Sequence, residues 1–244
     1  MKKWLMYQLR KLARPKIVQC DGVKLFIGDL SRTSYARSLY RGSHECEERD
    51  LIRKHLTPDD RVLEFGSGIG LVSVICCQIV GAENVVTYEA NPAMELMLRK
   101  TFALNNVAPD LRMKMIAVER GNGSFFVTDR FVVSSQINHQ KDARELRIPS
   151  DSFQDVLAEV KPTFLIMDIE GAEVDLADES IELSCVNKLC VEVHPTIVGD
   201  ERTSQFIQSL LARGFQLELS SSKGDVLFFR RAVAKVSETN ASRA

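Results

Sequence analysis

Glu64, Gly66, Gly68 and Gly70 stand in the run Arg61-Val62-Leu63-Glu64-Phe65-Gly66-Ser67-Gly68-Ile69-Gly70, a pattern suited to holding a ligand. Val62, Leu63 and Phe65 predict a buried strand, the glycines a turn, and Leu71-Val72-Ser73-Val74-Ile75-Cys76-Cys77 a following helix. Glycines let the backbone take φ > 0 and approach a bound molecule closely. The first N–H groups of the helix point at whatever the turn holds. An acid ahead of the glycines would repel a dinucleotide pyrophosphate and attract a cation, such as the amino group of S-adenosylmethionine. Glu89 ends a second short apolar strand over 84–88, where a carboxylate suits the two hydroxyls of an adenosine ribose. A plain strand–helix turn would account for the glycines alone. Glu64, the glycines and Glu89 together favour a nucleoside site.

Ligands of open α/β sheets bind beyond the carboxyl ends of the strands. Besides Glu64 and Glu89, those ends carry Asp168 and Glu170 on a fourth strand, and Glu192 and His194 on a fifth. Phe164-Leu165-Ile166-Met167 runs directly into Asp168-Ile169-Glu170-Gly171-Ala172-Glu173. One acid would cap the next helix. Three exceed that need, and crowding carboxylates costs free energy that a functional site would justify. Alternation sets Glu192 and His194 on one face. His194 stands where a base is useful, although a histidine there serves equally as a structural hydrogen-bonder. Asp168, Glu170, Glu192 and His194 also offer ligand types that a divalent cation such as magnesium accepts. No spacing demands a metal, and it is not the favoured reading. His44, His55 and His139 join no constellation, although His139, in a polar insertion, could contact substrate.

The elements that position these residues alternate. Strands are expected over 61–65, 84–88, 113–118, 163–167 and 188–193, and helices over 70–80, 92–105, 173–180 and 203–213. That rhythm predicts an α/β fold with a mostly parallel sheet covered by helices on both faces. Segments 215–219 and 225–230 are joined by Ser220-Ser221-Ser222-Lys223-Gly224, which is too short for anything but an antiparallel hairpin. The reading is therefore a Rossmann-like, seven-stranded sheet of the class I methyltransferase kind. Residues 119–160 break the rhythm: Gly121-Asn122-Gly123 reads as a turn, 124–127 as a short strand, 134–149 as a polar loop and 151–160 as a helix. A connection this long suggests a substrate-side insertion.

With 244 residues, 45% of them hydrophobic, the chain can bury one α/β core, and its net charge of −1 gives no reason to expect nucleic acid. Its cysteines form no CxxC pair or zinc spacing, which fits packing residues in a reducing cytoplasm. No apolar run approaches the length of a membrane span. Residues 1–40 read as a basic N-terminal helix and lead-in, 41–231 as the catalytic domain and 232–244 as a flexible tail. The first twenty residues contain Lys2, Lys3, Arg10, Lys11, Arg14 and Lys16 and no acid, with Leu5, Leu9 and Leu12 at helical spacing near Trp4 and Met6. The favoured reading packs this helix on the domain with its basic face in water. The alternative is weak contact with an anionic membrane surface.

The residues from 40 to 230 resemble the FkbM-type branch of the class I S-adenosylmethionine-dependent methyltransferases. Asp168-Ile169-Glu170-Gly171-Ala172-Glu173 is similar to that family's D-[VI]-E-G-x-E signature, and Glu89-Ala90-Asn91-Pro92 to its E-P-N-P segment. Tyr40 and Glu45 resemble the aromatic and Glu ahead of its first strand, and Ser134-Ser135 a serine-containing stretch of its insertion. The first loop departs from the family's D-x-G-A-N-x-G, and Met167 stands where a Lys is common. The resemblance implies transfer of a methyl from S-adenosylmethionine to a hydroxyl of a sugar, polysaccharide precursor or natural product, leaving S-adenosylhomocysteine. It implies Asp168 or His194 as general base, with Glu170 orienting the acceptor or meeting the sulfonium. Glu64 would take the methionine amino group, and the segment Gly66, Ser67, Gly68 and Gly70 the methionine end. Glu89 and Ala90 would meet the ribose, and Ala117 and Val118 would border the adenine. Asp168 would also touch the cofactor, and Glu173 would be structural. Nothing in the sequence defines the acceptor, so a protein methyltransferase or a non-catalytic cofactor-binding module stays open. A nicotinamide oxidoreductase would want G-x-G-x-x-G, and an amino-methyltransferase of nucleic acid a Pro-Pro pair after the fourth strand.

Overall fold

The computed structural model describes residues 2–33, 35–127 and 144–232. His139, Ser134-Ser135 and all but the first residue of the expected tail 232–244 lie outside the described residues. In chain order the elements are α1 (Lys2–Ala13), β1 (Ile17–Cys20), β2 (Val23–Phe26), α2 (Ala36–Arg41), α3 (Cys46–His55), β3 (Val62–Phe65), α4 (Leu71–Val80), β4 (Val85–Tyr88), α5 (Glu95–Leu104) and β5 (Asp110–Arg112). Then follow β6 (Met115–Ala117), β7 (Gly121–Val127), β8 (Arg144–Ser152), α6 (Phe153–Val160), β9 (Phe164–Met167), β10 (Lys188–Glu192), α7 (Pro195–Val198), α8 (Asp200–Ala212), β11 (Phe215–Leu217) and β12 (Val226–Arg231).

The main sheet has seven strands in the order β11-β12-β10-β9-β3-β4-β5. The pairs β3–β4, β3–β9, β4–β5 and β9–β10 are parallel, and β12 runs antiparallel to both β10 and β11. Burial on both faces explains why β9 reads as an unbroken apolar run and why three of the four residues of β3 are apolar. Val62, Phe164 and Ile166 pack with α3, α4 and α5 on one face. Leu63, Phe65, Leu165 and Met167 pack with α6 and α8 on the other. Asn91 starts the turn after β4 by accepting from the Ala93 N–H, with Pro92 at the first position.

Several expectations are corrected. The third parallel strand is Asp110–Arg112, not 113–118: it is the sheet edge, where a half-exposed polar strand is tolerated and no apolar run announces it. Met115–Ala117 instead joins a separate sheet, β6-β8-β7, in which Gly121-Asn122-Gly123 is strand rather than turn, paired with Ser150, Pro149 and Ile148. The segment 173–180 forms only a 3₁₀ turn at Ala172–Ala177. Residues 17–40 are more than a lead-in. The β1–β2 hairpin shares the core of α4 and α5 through Val18, Val23 and Leu25, and the Phe26 N–H donates to Thr101 Oγ1. Helix α1 lies on α2, with Tyr7 and Arg10 turned inward and its leucine stripe outward, the reverse of the favoured reading. No helix among the described residues is long and apolar enough to cross a membrane.

Candidate functional site

A cavity of about 470 Å³ opens at the carboxyl ends of β3, β4, β9 and β10. Gly66 and Gly68 form one wall, Glu89, Ala90 and Asn91 the next, and Asp168, Glu170 and Glu192 the opposite side. Gly66 is held there by two constraints. Its φ is +94°, and a Cβ would lie 1.8 Å from the Asp168 carbonyl oxygen. The glycine loop thus packs directly on the start of the acidic loop.

Glu89 is the carboxylate of the β4 end. Its Oε2 accepts from the Gly68 N–H at 2.9 Å and its Oε1 from the Asn91 N–H at 2.7 Å. Burial pushes its carboxyl up to about 7 despite these donors. The Ala90 N–H is a third backbone donor to this carboxylate.

Glu64 does not reach the cleft. It follows Val62 on the α4 side of the sheet, where Ser73 Oγ and Thr87 Oγ1 both donate to its Oε2 at 2.5 Å. Ser67 is likewise occupied: its Oγ donates to the Tyr88 carbonyl at 2.9 Å and contacts Thr87 Oγ1. Gly70 caps α4, and a Cβ there would meet Phe102 at 2.9 Å. These three residues hold the loop's shape and line no part of the cavity. Ala117 and Val118 line a separate crevice beside Phe153 and Ile169, while Met115, Ile116 and Phe125 line the cleft itself. Burial lifts the Glu64 carboxyl from 4.5 to about 7. The folded chain therefore holds this proton to higher pH than the unfolded chain, and stability falls as pH rises across that interval. Glu64→Gln, which keeps an acceptor for Ser73 and Thr87, should remove that fall, as measured by chemical denaturation across the same pH range.

The acidic side is knit around His194. The His194 Nδ1 lies 3.2 Å from Glu173 Oε1, which also accepts from the His194 backbone N–H at 2.9 Å. The Gly171 N–H donates to Glu173 Oε2 at 2.8 Å. Nε2 stands 3.5 Å from Asp168 Oδ1 and 3.7 Å from Glu170 Oε2. Burial lowers the imidazole, but the hydrogen bond to Glu173 and the surrounding carboxylates outweigh it and lift His194 to about 9. His194 is thus an imidazolium at neutral pH and has no free lone pair with which to act as a base. Asp168 is raised to about 8, first by burial, with His194 opposing and Glu170 adding to the rise. Its Oδ1 is inaccessible to solvent and makes no hydrogen bond, and its charged neighbour is the His194 Nε2 at 3.5 Å. Asp168, Glu192 and His194 bring one ligand atom each within 4.8 Å of one another, so the cation considered from the sequence has a geometric place.

Sequence reasoning missed the segment before β3. Tyr35, His44, Glu45 and Glu48 all line the cleft. His44 Nε2 is 2.9 Å from both Tyr35 Oη and Glu45 Oε1, so His44 belongs to a constellation after all. Glu45 has a left-handed φ of +48°, and its Oε2 is buried without a partner. Its Oε1 lies 3.8 Å from the position of a Cβ on Gly68. Burial, and then a hydrogen bond with Glu192, lifts Glu48 to about 8, so these two carboxyls share a proton. The resemblance pointed to Tyr40 and Glu45, of which Glu45 lines the cleft while the Tyr40 hydroxyl donates to the Ser31 carbonyl at 3.1 Å.

The strand order and the antiparallel β12 define the Rossmann-like, class I methyltransferase fold. No protein-family model matches the chain. Among solved structures it is similar to a ribosomal protein L11 methylase from Lactobacillus delbrueckii subsp. bulgaricus (15% identity, 85% of this chain and 83% of that one, TM-score 0.47). It is also similar to TYW2 of P. horikoshii in complex with MeSAdo (12% identity, 87% and 68%, TM-score 0.45). A third is Trm5 of Methanocaldococcus jannaschii in complex with adenosine (14% identity, 88% and 54%, TM-score 0.45). The fold assignment rests on the strand order and not on these distant likenesses.

Proposed function

We propose that this chain is an S-adenosylmethionine-dependent methyltransferase that methylates a hydroxyl of a sugar, polysaccharide precursor or natural product. The observation that carries the reading is one cavity with a glycine loop and a buried ribose-type carboxylate, Glu89, on one side and Asp168, beside the His194 imidazole, on the other. The Asp168-Ile169-Glu170-Gly171-Ala172-Glu173 resemblance to FkbM-type enzymes supports it. The cofactor supplies a methyl already activated on a sulfonium. The chain aligns the acceptor oxygen and removes its proton. Glu89 is placed for the ribose hydroxyls. Glu45, above Gly68 with an orphaned oxygen, takes the place foreseen for Glu64 as partner of the methionine amino group. Asp168 serves as base, Glu170 orients the acceptor, and His194 positions and charge-balances both.

Thermal unfolding with S-adenosylhomocysteine and, separately, with NADH tests the reading. At about 100 times its dissociation constant the ligand should add roughly 2.7 kcal/mol of stability. The shift should appear with S-adenosylhomocysteine only and vanish in Glu89→Ala. A shift with NADH alone would overturn the proposal.

A further inference from the structure

Helix α1 presents its apolar side to solvent. Leu5, Leu9 and Leu12, spaced i, i+4, i+7, form one stripe, and they are 53%, 52% and 84% exposed. Trp4, 65% exposed, and Met6 flank it. The opposite side holds the helix to the body. Tyr7 packs against the core under the Arg41 guanidinium, 5.1 Å from the ring centroid, and Arg10 donates to the carbonyls of Tyr40 and Gln19. The helix is therefore seated by its polar and aromatic side, with a leucine face left uncovered among the described residues.

Charge decides what covers that face. Residues 1–20 carry Lys2, Lys3, Lys11, Arg14 and Lys16 besides the inward Arg10, and no Asp or Glu. A second copy docked on the same stripe would bring these cations together, because a two-fold contact pairs a patch with itself. An anionic bilayer has the opposite charge and an apolar layer just beneath it. Amphipathic helices with aromatic and leucine residues on one side and Lys/Arg beside them bind there, lying in the plane of the surface. We propose that α1 is an interfacial membrane anchor. Its Leu5-Leu9-Leu12 stripe and Trp4 enter the headgroup boundary of an anionic membrane, and the basic residues around them meet the lipid charges. This inference is independent of the methyltransferase reading. It also has a steric consequence: α1 lies on α2, which directly follows the cleft residue Tyr35 and shortly precedes His44 and Glu45, so an anchored chain holds that rim near the surface.

The test is co-sedimentation of the full chain with vesicles of phosphatidylcholine alone and of phosphatidylcholine mixed with phosphatidylglycerol. The expected result is binding to the mixed vesicles, weakened by added salt. The variant Leu5→Glu/Leu9→Glu/Leu12→Glu should reduce partitioning by at least about tenfold, with unchanged thermal unfolding because all three positions are exposed. Absence of binding to mixed vesicles overturns the proposal, as does equal binding by the variant or by neutral vesicles. A lipid-free dimer that the variant converts to monomer would overturn it too, by showing that a second copy covers the stripe.

Discussion

Asp168→Asn is expected to slow methyl transfer by about 10²–10⁴-fold, the usual contribution of a positioned general base. The substitution keeps the size of the side chain and stays close to the protonated carboxyl in shape, so the fold should persist and S-adenosylhomocysteine should still raise the unfolding temperature. In the parent, activity should climb with pH until the Asp168 carboxyl, held up to about 8, has ionised. The direction follows from the chemistry: only the carboxylate can accept the acceptor's proton. His194→Gln provides the second arm. The imidazolium beside Asp168 lowers that carboxyl, so its removal should move the rising limb of the pH–rate profile to higher pH. An Asp168→Asn enzyme with parental turnover, or a limb that stays in place in His194→Gln, would remove Asp168 from the role of base.

Gly66→Ala should be the most damaging single methyl in the cleft. Its Cβ would fall 1.8 Å from the Asp168 carbonyl oxygen, and the backbone is left-handed at φ +94°. Overpacking of about 1–3 kcal/mol and a left-handed penalty of about 1–2 kcal/mol act together. A loss of roughly 2–5 kcal/mol corresponds to a fall in Tm of about 5–15 °C for a domain of this size, with the S-adenosylhomocysteine shift lost or much reduced. Gly68→Ala is the control. Its Cβ would meet nothing closer than Glu45 Oε1 at 3.8 Å, so only the backbone penalty applies. Equal Tm values for the two variants would show that the Gly66 contact is not needed.

The parallel core was legible because strands buried on both faces leave unbroken apolar runs such as Phe164-Leu165-Ile166-Met167. The acids after those runs were equally visible. Their directions were not. Glu64 lies inside β3 opposite Thr87 and turns to Ser73 and Thr87 behind the sheet, whereas Glu89 follows the end of β4 and turns to the cleft. Only the three-dimensional placement of the partner hydroxyls separates them. The edge strand Asp110–Arg112 carried too little apolar signal to compete with Met115 and Ile116 nearby. Glu48 escaped, and Glu45 was flagged only by the resemblance, because no local period marks a residue delivered to a cleft by a left-handed turn and a helix start. The outward stripe of α1 was misread because amphipathic helices ordinarily bury their apolar side.

The contact between Gly66 and the Asp168 carbonyl also bears on how this protein can change over generations. Two loops from different strands share one space with no room for a side-chain carbon between them. A lineage that gave up the glycine would have to rebuild the acidic loop in the same step. Drift in acceptor preference is therefore channelled elsewhere, into the β6-β8-β7 sheet and the segment carrying Tyr35 and His44, whose side chains line the cleft without bracing the two loops.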